Sequence, residues 1–147
     1  CFGEYEKPKV RFPGSGGAAA MASNSDRIIA ILALEKRRFR DKVYFITSLG
    51  FGDGSLDYRW KAGVQGRGPY RVVTDSALFG YDVGNTNRMM LLEYHPDLSV
   101  EAIQERCELE LLIAPDVKPM PLPSDEHVNL MVNVVDPEHY FLGKTVE

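Results

Sequence analysis

Four residues near the start of the sequence could bind an anion through their backbone. They are Gly14, Ser15, Gly16 and Gly17. The loop follows a strand candidate, Lys9–Phe12, and precedes three alanines, which favour a helix. Backbone N–H groups in such a loop can hold a carboxylate, a phosphate or an oxyanion. We favour Gly16 and Gly17 for this role; the alternative is a plain turn in which glycine permits positive φ.

A run of basic residues follows, made of Lys36, Arg37, Arg38 and Arg40. Guanidinium groups could meet the phosphates of a ligand, since their N–H groups match phosphate oxygens. Glu35 and Asp41 flank the run, and such mixed charge is also typical of a solvated connector. Both interpretations stay open.

A carboxylate at the end of a strand is another candidate. Asp75 follows the apolar segment Tyr70–Thr74, and residues at the carboxyl ends of strands often contribute to sites in α/β sheets. The alternative, which we favour, is a turn carboxylate that caps the bend into Ser76.

The other residues that could do chemistry form no pattern. They are His95, His127, His139, Cys1 and Cys107. Their spacing fits neither a zinc site nor a disulfide framework. Cys107 is expected on the apolar face of a helix as a small core residue. We therefore predict no metal ligand and no catalytic residue.

Alternating strands and helices must position these residues. The strand candidates are Lys9–Phe12, Arg27–Leu34, Val43–Thr47, Tyr70–Thr74, Ala77–Tyr81, Arg88–Tyr94 and Glu110–Ile113. Arg27–Leu34 is uninterrupted and rich in isoleucine, which predicts a central parallel strand covered on both faces. Gly84 and Asn85 supply a hairpin turn. The sequence thus predicts an α/β fold with a mostly parallel sheet, a β-hairpin and flanking helices.

Helix caps and prolines define the end of the chain. Ser99 caps a helix that runs to about Arg106, and Ser124 caps a last helix. Residues 115–147 form a proline-rich segment and this terminal helix. We expect residues 1–147 to form a single domain.

Residues 48–69 form a glycine-rich loop, with six glycines. Trp60 with Tyr58 could gate a pocket. We favour the alternative, in which Trp60 anchors the loop.

Composition excludes several classes of protein. The 147 residues are 44% hydrophobic and 26% charged, with a net charge of −4 at pH 7. This balance argues against a nucleic-acid partner. No apolar run approaches the length of a membrane span. The two cysteines suit a reduced, cytoplasmic protein. The chain opens with Cys1 and no signal peptide follows, so we expect a fragment of a longer protein.

Four stretches of the sequence resemble one family. They read KPKVRFPGSGG at 7–17, EKRRFRDKVYFITS at 35–48, GPYRVVTDSALFGYD at 68–82 with RMMLLEYHP at 88–96, and SVEAIQERCELELLIAP at 99–115. Their order and spacing are those of the family over nearly the whole chain. The chain therefore resembles the C-terminal portion of a family I coenzyme A-transferase β subunit, of the glutaconate or 3-oxoadipate type.

The resemblance implies the NagB/RpiA-like fold and an enzyme made of α and β subunits. In the family a β-subunit glutamate attacks an acyl-CoA, becomes a glutamyl-CoA thioester and passes coenzyme A to a second carboxylate. That glutamate lies in a Ser-Glu-Asn-Gly-like turn upstream of the matched region, and this sequence has no such motif. A glycine of the loop at 14–17 is implied in an oxyanion hole. Coenzyme A phosphates become the candidate ligand of Arg37, Arg38 and Arg40.

The sequence departs from the family beside this loop. The family follows its two glycines with Ala-Asn-Asp, whereas this chain has Ala18, Ala19 and Ala20. We expect a divergent CoA-transferase β-subunit-like domain. Its ancestral chemistry is transfer of coenzyme A between an acyl-CoA and a carboxylic acid, and the chain alone is expected to be inactive. The alternative is a non-catalytic binding or assembly module that retains the fold.

The resemblance also sets the expected partners. No bound cofactor is expected, and a coenzyme A thioester is the candidate ligand. A CoA-transferase α subunit is a candidate partner. The strands in Arg27–Leu34 and Tyr70–Tyr81 would lack cover without this subunit and the upstream half of a β subunit, so we also expect self-association, most simply as a dimer. The alternative is a monomer in which the proline-rich segment and the last helix fold over the exposed face.

Overall fold

The computed structural model describes residues 2–3, 6–10, 14–43 and 45–143. An antiparallel pair joins Phe2–Gly3 (β1) to Pro8–Val10 (β2). A separate sheet contains, in spatial order, Arg27–Ile31 (β3), Gly68–Val73 (β4), Ala77–Tyr81 (β5), Met89–Tyr94 (β6) and Leu112–Pro119 (β7). The helices are Ala18–Asn24 (α1), Tyr58–Lys61 (α2), Val100–Glu105 (α3) and Asp125–Leu130 (α4), and α4 continues into a π-helical turn, Met131–Val135.

The larger sheet is mixed. β4, β5 and β6 pair antiparallel, while β3 with β4 and β6 with β7 pair parallel. Short turns join β4 to β5 and β5 to β6. A short turn can join only antiparallel neighbours, because parallel strands need a long crossover connection. The α/β class, the hairpin and the flanking helices are confirmed. Two of the four strand pairs are parallel and two are antiparallel, so this sheet is mixed rather than mostly parallel.

The core covers one face of this sheet. Its largest fully buried side chains are Phe79, Leu91 and Ile103. Phe39 reaches them from the segment after β3, with its ring centroid 5.5 Å from that of Phe79. Cys107 is buried in the same cluster, as predicted, but it follows α3, which ends at Glu105, and does not lie on its apolar face. The side chain of Ser99 caps α3 by accepting the N–H of Ala102 at 3.2 Å.

The prediction for β3 is wrong in its position. β3 lies at an edge of the sheet, and Ile29 and Ile31 are 58% and 82% exposed. Their partners in register are Arg71 and Val73, which alternate with buried Val72 and so point away from the core. The isoleucine-rich pattern predicts cover that the described residues do not supply.

Residues 43–47 are not a strand in the part that the structure describes, which leaves out Tyr44. Val43, Phe45 and Ile46 are exposed, so an apolar run alone does not make a strand without a neighbour to pair with. Of the strand predicted at Lys9–Phe12, residues 11 and 12 lie outside the described residues.

The last strand is longer than predicted. β7 includes Pro115 and Pro119, which fall in the proline-rich segment named from the sequence. Proline is tolerated there because β7 is at the far edge of the sheet. Ser124 caps α4 as predicted, by accepting the N–H of His127 at 3.3 Å.

Candidate functional site

The glycine loop at residues 14–17 is an exposed turn before α1. The N–H of Ala18 donates to the carbonyl of Ser15 at 3.1 Å, and that of Met21 donates to the carbonyl of Gly17 at 2.9 Å. Gly16 has φ +53°, and a Cβ built on it would meet nothing within 4 Å. The glycine is therefore needed for its backbone conformation rather than for space. A role in anion binding stays a prediction.

Asp75 holds two segments together. Its Oδ1 accepts the N–H of Leu34 at 2.7 Å, and its Oδ2 accepts the hydroxyl of Ser76 at 3.2 Å. The bond from Leu34 is the largest cause that lowers the pKa of Asp75 below its usual value. The carboxylate thus ties the segment after β3 to the turn between β4 and β5. The bond to Ser76 is local, whereas the bond from Leu34 goes beyond the turn expected from the sequence; the role of Asp75 as a site residue stays a prediction.

The basic run is paired with carboxylates. Arg37 pairs with Glu35, and Arg38 Nη2 lies 3.4 Å from Glu35 Oε1. Arg40 Nε lies 3.1 Å from Glu108 Oε2. The charge that these arginines could offer to phosphates is therefore partly compensated. Exposed pairs of this kind are weak, at about 0–1 kcal/mol, so a phosphate could compete, and the predicted contact stays a prediction.

A cavity that the sequence did not reveal lies between α2, the glycine-rich loop and the start of β4. Its volume is about 940 Å³, which is within the usual range for small-molecule sites. Its lining includes the arginines Arg27, Arg59 and Arg67 and the aromatic residues Phe51, Trp60 and Tyr70. These residues come from separate segments, and the parallel pairing of β3 with β4 brings Arg27 beside Tyr70.

Arg59 organises the wall of this cavity. Its guanidinium is buried and donates to the backbone carbonyls of Leu49 at 2.8 Å and Gln65 at 3.2 Å. These two bonds join the two ends of the loop at residues 48–69. Phe51 adds a ring contact, 5.2 Å between centroids, with Tyr81.

The prediction that Trp60 anchors this loop is wrong. Its side chain is 81% exposed and lies at the cavity, whereas Arg59 and Phe51 fix the loop to the body. The alternative interpretation, in which Trp60 belongs to a pocket, describes its position better.

Glycines let the loop approach its neighbours. Gly66 has φ +79°, and a Cβ on it would lie 2.2 Å from the carbonyl oxygen of Ser25. Gly68 has φ +84°, and a Cβ on it would lie 2.9 Å from Arg59 Nε. Both positions therefore exclude a side chain on two grounds, conformation and space.

The charged groups of the cavity are arginines. Arg67 Nε donates to Asp26 Oδ1 at 3.0 Å, and hydrogen bonding from Arg67 is the largest cause that lowers the pKa of Asp26. Arg27 lies over the ring of Tyr70, with its guanidinium carbon 4.5 Å from the centroid. Arg71 lies 4.1 Å from the same centroid. Among the described residues, no carboxylate is within ion-pair distance of Arg27.

The described residues offer no metal site and no activated thiol. No group of three or more His, Cys, Asp or Glu side chains in them is arranged to hold a metal ion. Burial raises the pKa of the Cys107 thiol to about 11, so this thiol stays protonated at neutral pH and is a poor nucleophile. No helix in the described part of the chain is both long and apolar enough to cross a membrane.

Similarity to known proteins extends over most of the chain. A family model described as coenzyme A transferase matches residues 1–106. The B-type subunit of glutaconate CoA-transferase from Acidaminococcus fermentans is 37% identical over 146 residues, which are 99% of this chain and 53% of that protein. The B-type subunit of 3-oxoadipate CoA-transferase from Pseudomonas knackmussii is 36% identical over 123 residues, which are 84% of this chain and 46% of that protein.

Solved structures share the fold. The crystal structure of glutaconate coenzyme A-transferase from Acidaminococcus fermentans matches with a TM-score of 0.83 at 34% identity, over 97% of this chain and 54% of that one. Rhodococcus jostii RHA1 IpdAB matches with a TM-score of 0.70 at 22% identity, over 95% and 54%; this match bears on the fold alone. The chain spans about half the length of the curated relatives it matches.

Proposed function

This chain belongs to the coenzyme A transferase family, and on that basis we propose that it forms part of an enzyme that moves coenzyme A between an acyl-CoA and a carboxylic acid. The observation that carries the proposal is the 37% identity to the B-type subunit of a CoA-transferase, extending over 99% of the chain. The four stretches that resemble the family fall inside this similarity.

The glycine loop is the proposed binding element for the thioester. Attack of a carboxylate on a thioester carbonyl places negative charge on the carbonyl oxygen, and backbone N–H groups that face this oxygen stabilise it. Gly16 and Gly17 are the proposed donors. The positive φ of Gly16 supports this choice, because the left-handed conformation turns successive N–H groups toward one side.

The nucleophile is proposed to come from outside this sequence. The sequence contains no Ser-Glu-Asn-Gly-like motif, and its one described thiol is protonated at neutral pH. We therefore expect the chain alone to bind coenzyme A weakly at most and to transfer none. An assay with an acyl-CoA and a free carboxylate checks this. Turnover above the buffer background that is lost on mutation of this chain would contradict it.

A partner of a different type is part of the proposal. The names of both relatives designate a B-type subunit, which supports assembly with an A-type counterpart that corresponds to the α subunit. The exposed side chains of Ile29, Ile31 and Phe45 offer apolar surface for such contacts.

Self-association is proposed for the chain on its own, through the same exposed surface. Ile29 and Ile31 remain exposed in the presence of the terminal helix, which supports contact with a second copy. Light scattering at micromolar concentration is expected to give a dimer mass. A monomer mass without concentration dependence would refute the dimer.

A non-catalytic binding or assembly module is the second candidate. It is favoured by Ala19 and Ala20, which stand where the family has polar Asn and Asp after its glycine loop. A chimera separates the two candidates: this chain replaces the matching part of the B-type subunit of glutaconate CoA-transferase from Acidaminococcus fermentans, and transfer is measured with the A-type partner of that enzyme present. Restored transfer supports the enzyme. An inactive chimera that still folds and assembles with the A-type partner supports the module.

The chimera also tests the loop. Gly16→Val places a branched side chain at a positive φ and is expected to abolish transfer. Gly143→Val is the matched control, because Gly143 also has positive φ (+76°) and open space around it. Equal activity in the two variants would remove the glycine loop from the mechanism.

A further inference from the structure

We propose that the cavity beside Trp60 is a binding site for a nucleoside phosphate, in which the planar base stacks on Trp60 and a phosphate meets Arg27. The glycine loop at residues 14–17 contributes no residue to the lining of this cavity. The inference rests on the chemistry of the cavity and does not require the proposed function.

The charge of the cavity selects an anion. The whole chain carries a net charge of −4, yet in the described part of the chain three arginines and no Asp or Glu line the cavity. Arg59 is engaged by backbone carbonyls and Arg67 by Asp26. Arg27 rests on the ring of Tyr70 and forms no ion pair among the described residues, although its charge helps to lower the pKa of Asp26. Its N–H groups can therefore donate to a phosphate.

Aromatic side chains select a planar group. Trp60 is 81% exposed and Tyr70 is 36% exposed at the edge of the cavity. Large aromatic surface left in water beside a cavity is typical of a binding site, and indole and phenol rings stack on nucleic-acid bases of any kind. An aliphatic carboxylate would match Arg27 but would gain little from these rings.

The position of Arg27 is set before a ligand arrives. Its guanidinium rests on the ring of Tyr70, and Arg71 contacts the same ring. Two like charges at one ring repel each other unless an anion compensates them. A phosphate at Arg27 supplies that compensation, while the base occupies the apolar part of the cavity formed by Phe51, Leu56 and Val83.

Trp60 reports on its own site, because it is the only tryptophan of the chain. We expect ADP to quench its fluorescence in a saturable manner, with excitation at the red edge where the base does not absorb. Adenosine has the base without the phosphates, and inorganic pyrophosphate has the phosphates without the base. Each is expected to bind at least about tenfold more weakly than ADP. Coenzyme A is titrated in parallel. If coenzyme A binds as tightly as ADP, the ligand is the nucleotide end of coenzyme A. If ADP binds and coenzyme A does not, the ligand is a free nucleotide.

Two exposed residues give variants that keep the fold. Arg27→Gln is expected to weaken ADP about tenfold or more and to flatten the salt dependence. Trp60→Ala is expected to weaken ADP by a similar factor, measured by calorimetry because the fluorescent side chain is lost. Lys118→Gln, which removes the same charge on the opposite edge of the sheet, and Lys61→Ala, next to Trp60 but not in the cavity wall, are the controls.

The proposal is overturned if ADP gives no saturable signal at millimolar concentration, or if Arg27→Gln and Lys118→Gln bind it equally. Neither measurement uses transfer of coenzyme A. A failure here therefore leaves the proposed function standing, and an inactive chimera leaves this site standing.

Discussion

The chain has two loops rich in glycine, and they use this residue differently. In the loop at residues 14–17, Gly16 has a positive φ but open space around it. In the loop at residues 48–69, Gly66 has a positive φ and also touches the backbone of Ser25. The sequence of the loop at residues 14–17 suggests a functional motif, and the structure has an exposed turn there. The sequence of the loop at residues 48–69 suggests a plain connector, and the structure has the wall of a cavity. Glycine content alone therefore does not distinguish a ligand loop from a tightly packed one.

The sharpest test of this difference is Gly66→Ala. The new Cβ would lie 2.2 Å from the carbonyl oxygen of Ser25, and it would also carry the strain of a left-handed conformation. We expect a loss of about 3–5 kcal/mol in the free energy of unfolding, from overpacking and backbone strain together. Urea unfolding measures it. A loss below about 1 kcal/mol would mean that the loop yields readily and that its glycines are not close-packed.

Arg59 and Trp60 sharpen the comparison within the loop at residues 48–69. Arg59→Met leaves the carbonyls of Leu49 and Gln65 without their donor, which is expected to cost about 2–4 kcal/mol. Trp60→Ala removes an exposed side chain, with an expected change within about 0.5 kcal/mol. Thermal or urea unfolding of the two variants gives both numbers. The reverse order would restore Trp60 as the anchor.

The loop at residues 14–17 should show conformational strain alone. Gly16→Ala is expected to cost about 1–2 kcal/mol, because alanine disfavours a positive φ. Gly17 has φ −77°, so Gly17→Ala is expected to change stability by no more than about 0.5 kcal/mol. Urea unfolding of both variants measures the difference. Equal losses would contradict a purely conformational role for Gly16.

The smallest expected effect concerns pH. The pKa of Asp75 is lowered in the folded state by the N–H of Leu34, and the pKa of an unfolded Asp is about 4. The contribution of this carboxylate is therefore fully present above about pH 4 and is lost as pH falls through the lower, folded pKa. Because the group is largely exposed, we expect no more than about 1 kcal/mol. Asp75→Asn should lose this part of the stability at neutral pH and unfold with a weaker dependence on acid; an unchanged acid profile would contradict it.

The sequence predicted correctly those parts of the fold that depend on residues close together in the chain, namely turns and helix caps. The hairpin turn at Gly84, the cap at Ser99 and the cap at Ser124 are confirmed, because each depends on a few neighbouring residues. The predicted place of β3 is wrong, since burial of Ile29 and Ile31 depends on what lies against them.

The candidate sites also differ in how far the sequence predicts them. The turn at Gly16 could be predicted from residue types alone. The cavity could not, because its residues are scattered along the sequence: the pairing of β3 with β4 brings Arg27 near Tyr70, and Trp60 comes from the separate loop that Arg59 holds. A buried Arg59 that satisfies carbonyls also leaves no pattern in the sequence, since arginine is usually exposed.

The two edges of the sheet differ in a way that limits how copies of the chain can stack. Pro115 and Pro119 in β7 lack N–H groups, so that edge is a poor template for another strand. β3 contains no proline, and its Ile29 and Ile31 are exposed. Strand addition is therefore directed to one side only. A chain with one edge strand open to pairing forms a dimer and then stops growing. A chain with two such edges could add strands without limit and form a fibril.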